Sequence, residues 1–458
     1  MNAVPTYRSP PADAATRARA TRTALFWLQG FILLQFACQV ALLFEALSPF
    51  RVVFRSAAFL VSLVALVLVP GVTARHPSRW LLYAALAVLG LNFFHPATNT
   101  PLTGAAEFAL NLAVVAPLFW VSRLQITPAV VARVMLLIWG FHTLSASVGV
   151  VQTYFPGTLQ PAISSVVDDQ GIMAEGLKIE LPDGTKIWRP MGLTDVPGGS
   201  SMSGLYAVLF GMGYAAVSRR WSLRLAGAGS MTVGLFCIYL TQIRVALVVS
   251  VIVAVAFVAA LAWARRAGDA VRLLAILAVV AVGSFVWALA VGGELVTERF
   301  GTLVEDAPGQ VYFSNRGQFL TYTVTELLPE HPFGAGLGRW GMVRSYFGDE
   351  LNPRSTSIWV EIQWTAWVTD GGAPLALAYA AAILVAGAAV MRAARHTPDR
   401  WLAGWAALGG AYTVAVFGLT FSYTPFIGQI GMEFWMLNSL LVTAARTVAR
   451  ARRDGVRL

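Results

Sequence analysis

The residues of this chain best suited to chemistry are arginines. Only two lysines occur, Lys178 and Lys186, so arginine is the default base and its position carries the information. Arg244 lies in YLTQIRVAL, a short turn between two long apolar runs. A guanidinium there can snorkel to a bilayer interface, or its planar fork can clamp a phosphate with two parallel hydrogen bonds. Arg189, Arg316, Arg339, Arg344 and Arg354 fall in two long polar segments, where neighbouring acids offer salt bridges as the simpler reason for them. His331 stands beside the glycine-rich turn PFGAGLG. An imidazole there can serve as a general base or pack against the turn. Glu361 stands among Trp359, Trp364 and Trp367 and could accept a proton. Tryptophans at such a place form an interfacial belt or stack on sugar rings. Glu107 and Glu433 lie within apolar runs, as site candidates or as buried partners in helix packing. The spacings contain no metal-ligand set, no Walker sequence and no GxSxG elbow, so neither metal nor cofactor is expected. Cys38 and Cys237 read as buried small hydrophobes.

These side chains must be positioned by greasy helices. Of 458 residues, 57% are hydrophobic and 12% charged, and the apolar runs are continuous rather than alternating. That pattern predicts an all-α polytopic membrane protein rather than a barrel. Twelve spans are expected, near 25–44, 56–73, 80–96, 104–121, 129–150, 201–217, 225–241, 245–263, 271–291, 373–391, 401–420 and 427–445. The polar first 24 residues run straight into the first span with no small-residue cleavage site, which reads as an uncleaved helix. With both termini inside the cell, the inner segments collect 22 bases against 4 acids, a net +18. The outer segments and spans hold 11 bases against 19 acids, a net −8. Positive-inside topology thus accounts for the total of +10 without nucleic acid as a partner. The resulting organisation is a cytoplasmic tail (1–24), nine spans with an outer loop at 151–200 (25–291), a large outer loop (292–372), three spans (373–445) and a basic cytoplasmic tail (446–458).

The large loop is not disordered in composition. In 317–328, Phe319, Leu320, Thr323, Val324 and Leu327 share one helical face, and Pro329 and Pro332 bracket His331 and stop that helix. Residues 356–369 again show helical period. Two short helices lying on the outer membrane face are expected.

Four motifs, in this order and on this side, resemble the O-antigen ligase and O-antigen polymerase superfamily of bacterial envelopes. They are Arg189–Gly192 closing the first outer loop, Thr241-Gln242-Ile243-Arg244, Arg316 followed by an amphipathic helix and His331-Pro332-Phe333-Gly334-Ala335-Gly336-Leu337-Gly338, and Asp370-Gly371-Gly372 leading into span ten. Ligases of that family carry a histidine late in the large loop. Here Arg354-Ser355-Thr356-Ser357-Ile358 holds none, so polymerase is the closer resemblance.

The resemblance implies a GT-C-like fold in the bacterial cytoplasmic membrane. It implies a glycan donor on undecaprenyl diphosphate, a glycan or lipid acceptor, membrane lipids and other polysaccharide-assembly proteins as partners, and no cofactor. Arg189, Arg244, Arg316 and Arg339 would hold the diphosphate. Glu361, or His331, would take the acceptor proton, and Trp359, Trp364 and Trp367 would stack on the glycan. A transporter or flippase of lipid-linked glycans is the competing class. Such proteins concentrate charge inside repeated bundles, whereas here most charges lie outside the spans and no repeat is visible.

Overall fold

The computed structural model describes residues 14–71, 75–160, 177–180, 184–305 and 308–455. Arg8 and Asp13 of the first tail, and Asp168, Asp169, Glu175 and Asp183 of the first loop, lie outside the described residues.

The chain is a helical bundle. In order it forms α1 (Ala14–Ala41), α2 (Arg51–Leu68), α3 (Arg79–Asn92), α4 (Pro101–Val121), α5 (Pro128–Tyr154), a small hairpin of β1 (Lys178–Glu180) and β2 (Lys186–Trp188), α6 (Gly199–Val217), α7 (Trp221–Thr241), α8 (Arg244–Trp263), α9 (Ala267–Glu305), α10 (308–330), α11 (Gly341–Phe347), α12 (Gln363–His396), α13 (Arg400–Leu419) and α14 (Gln429–Arg453). Ten described helices are long and apolar enough to cross a membrane, which makes this a multi-pass membrane protein. The other two expected spans are also helical. However, α3 has 14 residues, and α14 ends in Arg450, Arg452 and Arg453.

Local chemistry places the helix starts. Thr100 and Thr127 each accept a hydrogen bond from a first-turn amide, at Thr103 and Val130, with proline at the first helical position. Asp399 caps α13 in the same way through Leu402 N at 3.0 Å. The tightest seam is between α6 and α7. A Cβ on Gly204 would lie 2.8 Å from Gly234 O, and one on Gly211 would lie 2.7 Å from Gly227 O. The two glycine pairs are seven residues apart on each helix, so the backbones meet at every second turn, as small-residue contacts allow in membranes. By contrast, α8 and α9 turn Val251, Val255, Val271, Val279 and Val282 outward, as a lipid-facing belt requires.

The large loop departs from expectation in two ways. Its first helix is longer than 317–328: it runs from 308 to 330 and contains two widened π turns, Phe313–Gly317 and Thr323–Leu327. Thr323 and Leu327 are buried as the periodicity implies, but Val324 is exposed, because each π turn rotates the face out of register. The second expected helix is not a separate surface helix. Residues 356–362 form no helix, and the helix begins at Gln363 and continues into the long apolar α12. A break at Gly372, with φ 63° and ψ −157°, divides α12 into a short first segment and a long second one.

Candidate functional site

The turns that would hold a site gather on one face of the bundle. Loop 331–340 wedges between the α3–α4 turn and the break in α12. Asn92 Nδ2 donates to Phe333 O at 2.9 Å and Asn99 N donates to Leu337 O at 3.0 Å. On the other side, Ala335 N donates to Thr369 O at 2.7 Å, and Ala373 N donates to Pro332 O at 3.0 Å. The last bond gives a partner to an amide that the helix break would otherwise strand. A Cβ at Gly334 (φ 108°) would lie 2.5 Å from Asn92 Oδ1, so glycine is what permits the wedge.

Arg316 occupies the first π turn of α10, and its Nη1 donates to Glu361 Oε2 in a close ion pair. Both side chains remain accessible, at 39% and 25%. A widened turn is a frequent device at functional sites. The pair thus brings together one of the four expected phosphate clamps and the expected proton acceptor. Trp359, two residues before Glu361, is 56% exposed and offers an open ring face. Trp364 is half-buried, with its indole N–H donated to Thr420 Oγ1 at 3.2 Å.

A second pair of motifs meets separately from this one. Arg189 follows β2, and its carbonyl accepts from Gly198 N at 3.3 Å. A Cβ on Gly198 would sit 2.7 Å from Ile243 Cδ1 and 3.7 Å from Arg189 Cδ. Arg189 and the turn bearing Arg244 therefore flank the same glycine. Arg244 itself opens α8, after Gln242 turns the chain with φ 54°.

Two expectations need correction. Trp367 does not offer a face to a glycan. It is 2% exposed, stacked at 5.0 Å on Tyr379 and close to Phe426. Arg339 is 7% exposed and spends its guanidinium within the loop: Nε on Thr356 O, Nη2 on Thr356 Oγ1 and Nη1 on Ala335 O, at 3.0, 2.9 and 3.1 Å. It clips the loop shut rather than reaching a ligand. Arg344 does the same through Ser355 O at 2.8 Å.

His331 terminates α10. Partial burial, then the Arg339 charge and, more weakly, His95 hold its imidazole below the usual histidine range, while Glu330 pushes the other way. The sign follows directly. As pH falls below about 6.5, the unfolded chain takes up a proton that folded His331 refuses, so stability declines. Thermal unfolding in detergent should show a loss between neutral pH and pH ~5.5, and His331→Gln should reduce it only in part, because burial also holds His95 and, more strongly, His76 below the ordinary histidine value. An unchanged pH slope in that variant would assign the loss to other groups.

One central residue is absent from the sequence-based set. Arg55 Nη2 donates to Asp195 Oδ2 at 2.7 Å, and Arg55 Nη1 lies 3.3 Å from Met342 Sδ. It therefore ties the first loop to the large one. The signal was available: Arg51 and Arg55 are two further bases on the loop side of their helix, where bases are scarce.

Deeper in the bundle, Trp340 donates its indole N–H to Asp370 Oδ1 at 2.8 Å, and Glu107 interacts electrostatically with the same buried carboxyl. His142 and Glu433 form a separate buried pair, 3.9 Å apart.

A scan against protein-family models gives no match for this chain, and neither does a search of curated proteins.

Proposed function

We propose that this chain is a glycosyltransferase of cell-envelope polysaccharide synthesis. It transfers or polymerises a glycan from undecaprenyl diphosphate at the outer face of the bacterial cytoplasmic membrane. Twelve crossings leave both termini cytoplasmic, and polymerisation is favoured over ligation because the large loop lacks the ligase histidine. The observation that carries this reading is the accessible Arg316–Glu361 pair on the face that gathers both long loops.

The chemistry follows from those groups. An acceptor hydroxyl attacks the anomeric carbon of the donor sugar. A new C–O bond forms, the bond to the lipid diphosphate breaks, and the diphosphate leaves with the electron pair. The hydroxyl proton passes to Glu361, with His331 as the less favoured acceptor. Arg316 exchanges Glu361 for the departing diphosphate, so the base is released as the leaving group is bound. Arg244 and Arg189 neutralise the rest of the charge in a water-poor site, where fixed donors act strongly. Trp359 and Trp364 guide the glycan, and Arg339 holds the loop that carries the site.

The test is reconstitution. Purified protein in liposomes with lipid-diphosphate oligosaccharide should yield longer or transferred glycans, resolved by gel and mass spectrometry. A second reading, transport of lipid-linked glycans, is favoured by the break at Gly372 beside buried Asp370, since broken helices line many transport sites. Movement of the donor across the bilayer without a new glycosidic bond would select that reading and remove the first.

A further inference from the structure

At the end of the bundle opposite the site, α12 and α14 enclose a cavity of about 360 Å³. The helix from the break at Gly372 to Arg392 is about 30 Å long at 1.5 Å per residue, the thickness of a hydrocarbon core. Exposed tryptophans mark the far interface at this level. Trp80 lies in the first turn of α3, and Trp263 ends α8 with the Arg395 guanidinium 4.9 Å over its ring. Ala389, Arg392 and His396 of α12 face Val442, Arg446 and Ala449 of α14, and Pro77 closes one side. Each triplet recurs at three or four residues, so each runs along one stripe of its helix. Alanine at 389 and 449 leaves open what larger side chains would fill.

The cavity is rich in donors and short of acceptors. Arg392 and Arg446 each place one guanidinium nitrogen on a backbone carbonyl, Ala388 O at 3.3 Å and Arg75 O at 2.9 Å. Among the described residues no carboxylate pairs with either of them or with His396. Two nearby polar atoms have no hydrogen-bond partner among those residues. Thr397 Oγ1, on a lining residue, is closed to solvent. His76, next to Pro77, is 2% exposed; its Nδ1 accepts from Ser78 N at 3.3 Å, while its Nε2 has no partner. Burial, then the Arg446 charge, holds that imidazole down to about 3, so it is neutral and its proton sits on Nε2. Buried donors are rarely left in this state. The positive-inside bias explains solvated bases at one end of a bundle. It does not explain a concave, alanine-lined space bordered by donors that lack acceptors.

We propose that this cavity binds the phosphate of an anionic phospholipid from the leaflet at this end of the bundle. Arg392 and Arg446 neutralise the headgroup, and the alanine walls receive the glycerol backbone. Basic pockets between membrane helices suit such headgroups. With no carboxylate on its walls, the cavity offers nothing to the choline of a zwitterionic lipid. The bound lipid ties the end of α12 to that of α14 and stabilises the folded bundle. This site is separate from the proposed reaction, and binding rather than transfer reports on it.

The full chain, purified in a neutral detergent, is titrated with dioctanoyl phosphatidylglycerol, dioctanoyl phosphatidylcholine or inorganic phosphate. Melting temperature and native mass spectrometry are the readouts. Phosphatidylglycerol alone should raise the melting temperature saturably and remain bound as a single retained lipid. Arg392→Gln combined with Arg446→Gln should weaken its binding roughly thirtyfold, about fivefold for each charge. Arg392→Gln alone, at an exposed position, is the second variant should the pair fold poorly. Arg219→Gln combined with Arg220→Gln removes two exposed bases from the α6–α7 turn and should leave binding unchanged. An equal shift with phosphatidylcholine, or an equal loss in the Arg219 and Arg220 variant, overturns the proposal. A shift with inorganic phosphate that matches the lipid's assigns the cavity to a free anion and overturns the lipid as its occupant.

Discussion

Arg316→Ala is expected to lower glycan transfer by about 10²–10³-fold, with most of the loss in kcat, because it removes a fixed donor that meets charge as it develops. The guanidinium is accessible and its partner is a single carboxylate, so exchange onto a diphosphate needs one ion pair broken. Such a partly exposed pair contributes about 0–1 kcal/mol to folding, so the variant should fold like the parent. Arg316→Lys keeps the charge but loses the two-pronged geometry, and it should recover only part of the rate. The measurement is steady-state transfer from a lipid-diphosphate oligosaccharide, with thermal unfolding as the control. Parental turnover in Arg316→Ala would remove this residue from the site.

Gly372→Ala is expected to be the most damaging single-atom-scale change in the loop region. With φ 63° and ψ −157°, the position is one that side chains avoid. A Cβ there would lie 2.1 Å from Pro332 O and 2.6 Å from Phe333 Cα. Backbone strain alone is of order 1–3 kcal/mol, and the clash falls on backbone atoms that cannot rotate away. A stability loss above about 3 kcal/mol is therefore expected. It is read as a fall in apparent melting temperature together with a loss of monodisperse protein. Gly140→Ala is the matched control, since a Cβ there meets nothing within 4 Å, and it should be neutral or stabilising by up to about 1 kcal/mol. A Gly372→Ala protein that melts with the parent would mean that the break in α12 is not held by loop 331–340.

Much of this is legible in the residue types and their spacing alone. Apolar run length located the helices, because a bilayer leaves the backbone few alternatives. Helix α10 ends at Glu330, two residues before Pro332 as expected, but Pro329 does not stop it and lies within its last turn. The residue types of the Arg316–Glu361 pair were legible too, but their meeting across 45 positions was not. The burial of Trp367 is not legible, because a tryptophan at helical spacing fits an interface and a core equally well; only the neighbouring Tyr379 and Phe426 decide. A 3.6-residue period does not reveal the π turns, since one widened turn shifts every later side chain. The seam of Gly204, Gly211, Gly227 and Gly234 was hidden for a simpler reason. Glycine is common in these spans, and only the facing helix makes particular ones necessary.

The bond from Ala373 N to Pro332 O also bears on how the broken helix is held in a bilayer. A peptide group without a partner is very unfavourable in hydrocarbon. Docking of loop 331–340 therefore gives the first amide of the second segment of α12 a backbone partner that does not depend on water. The pieces follow one another along the chain as the α3–α4 turn, the loop that docks on it, and the helix segment that the loop caps.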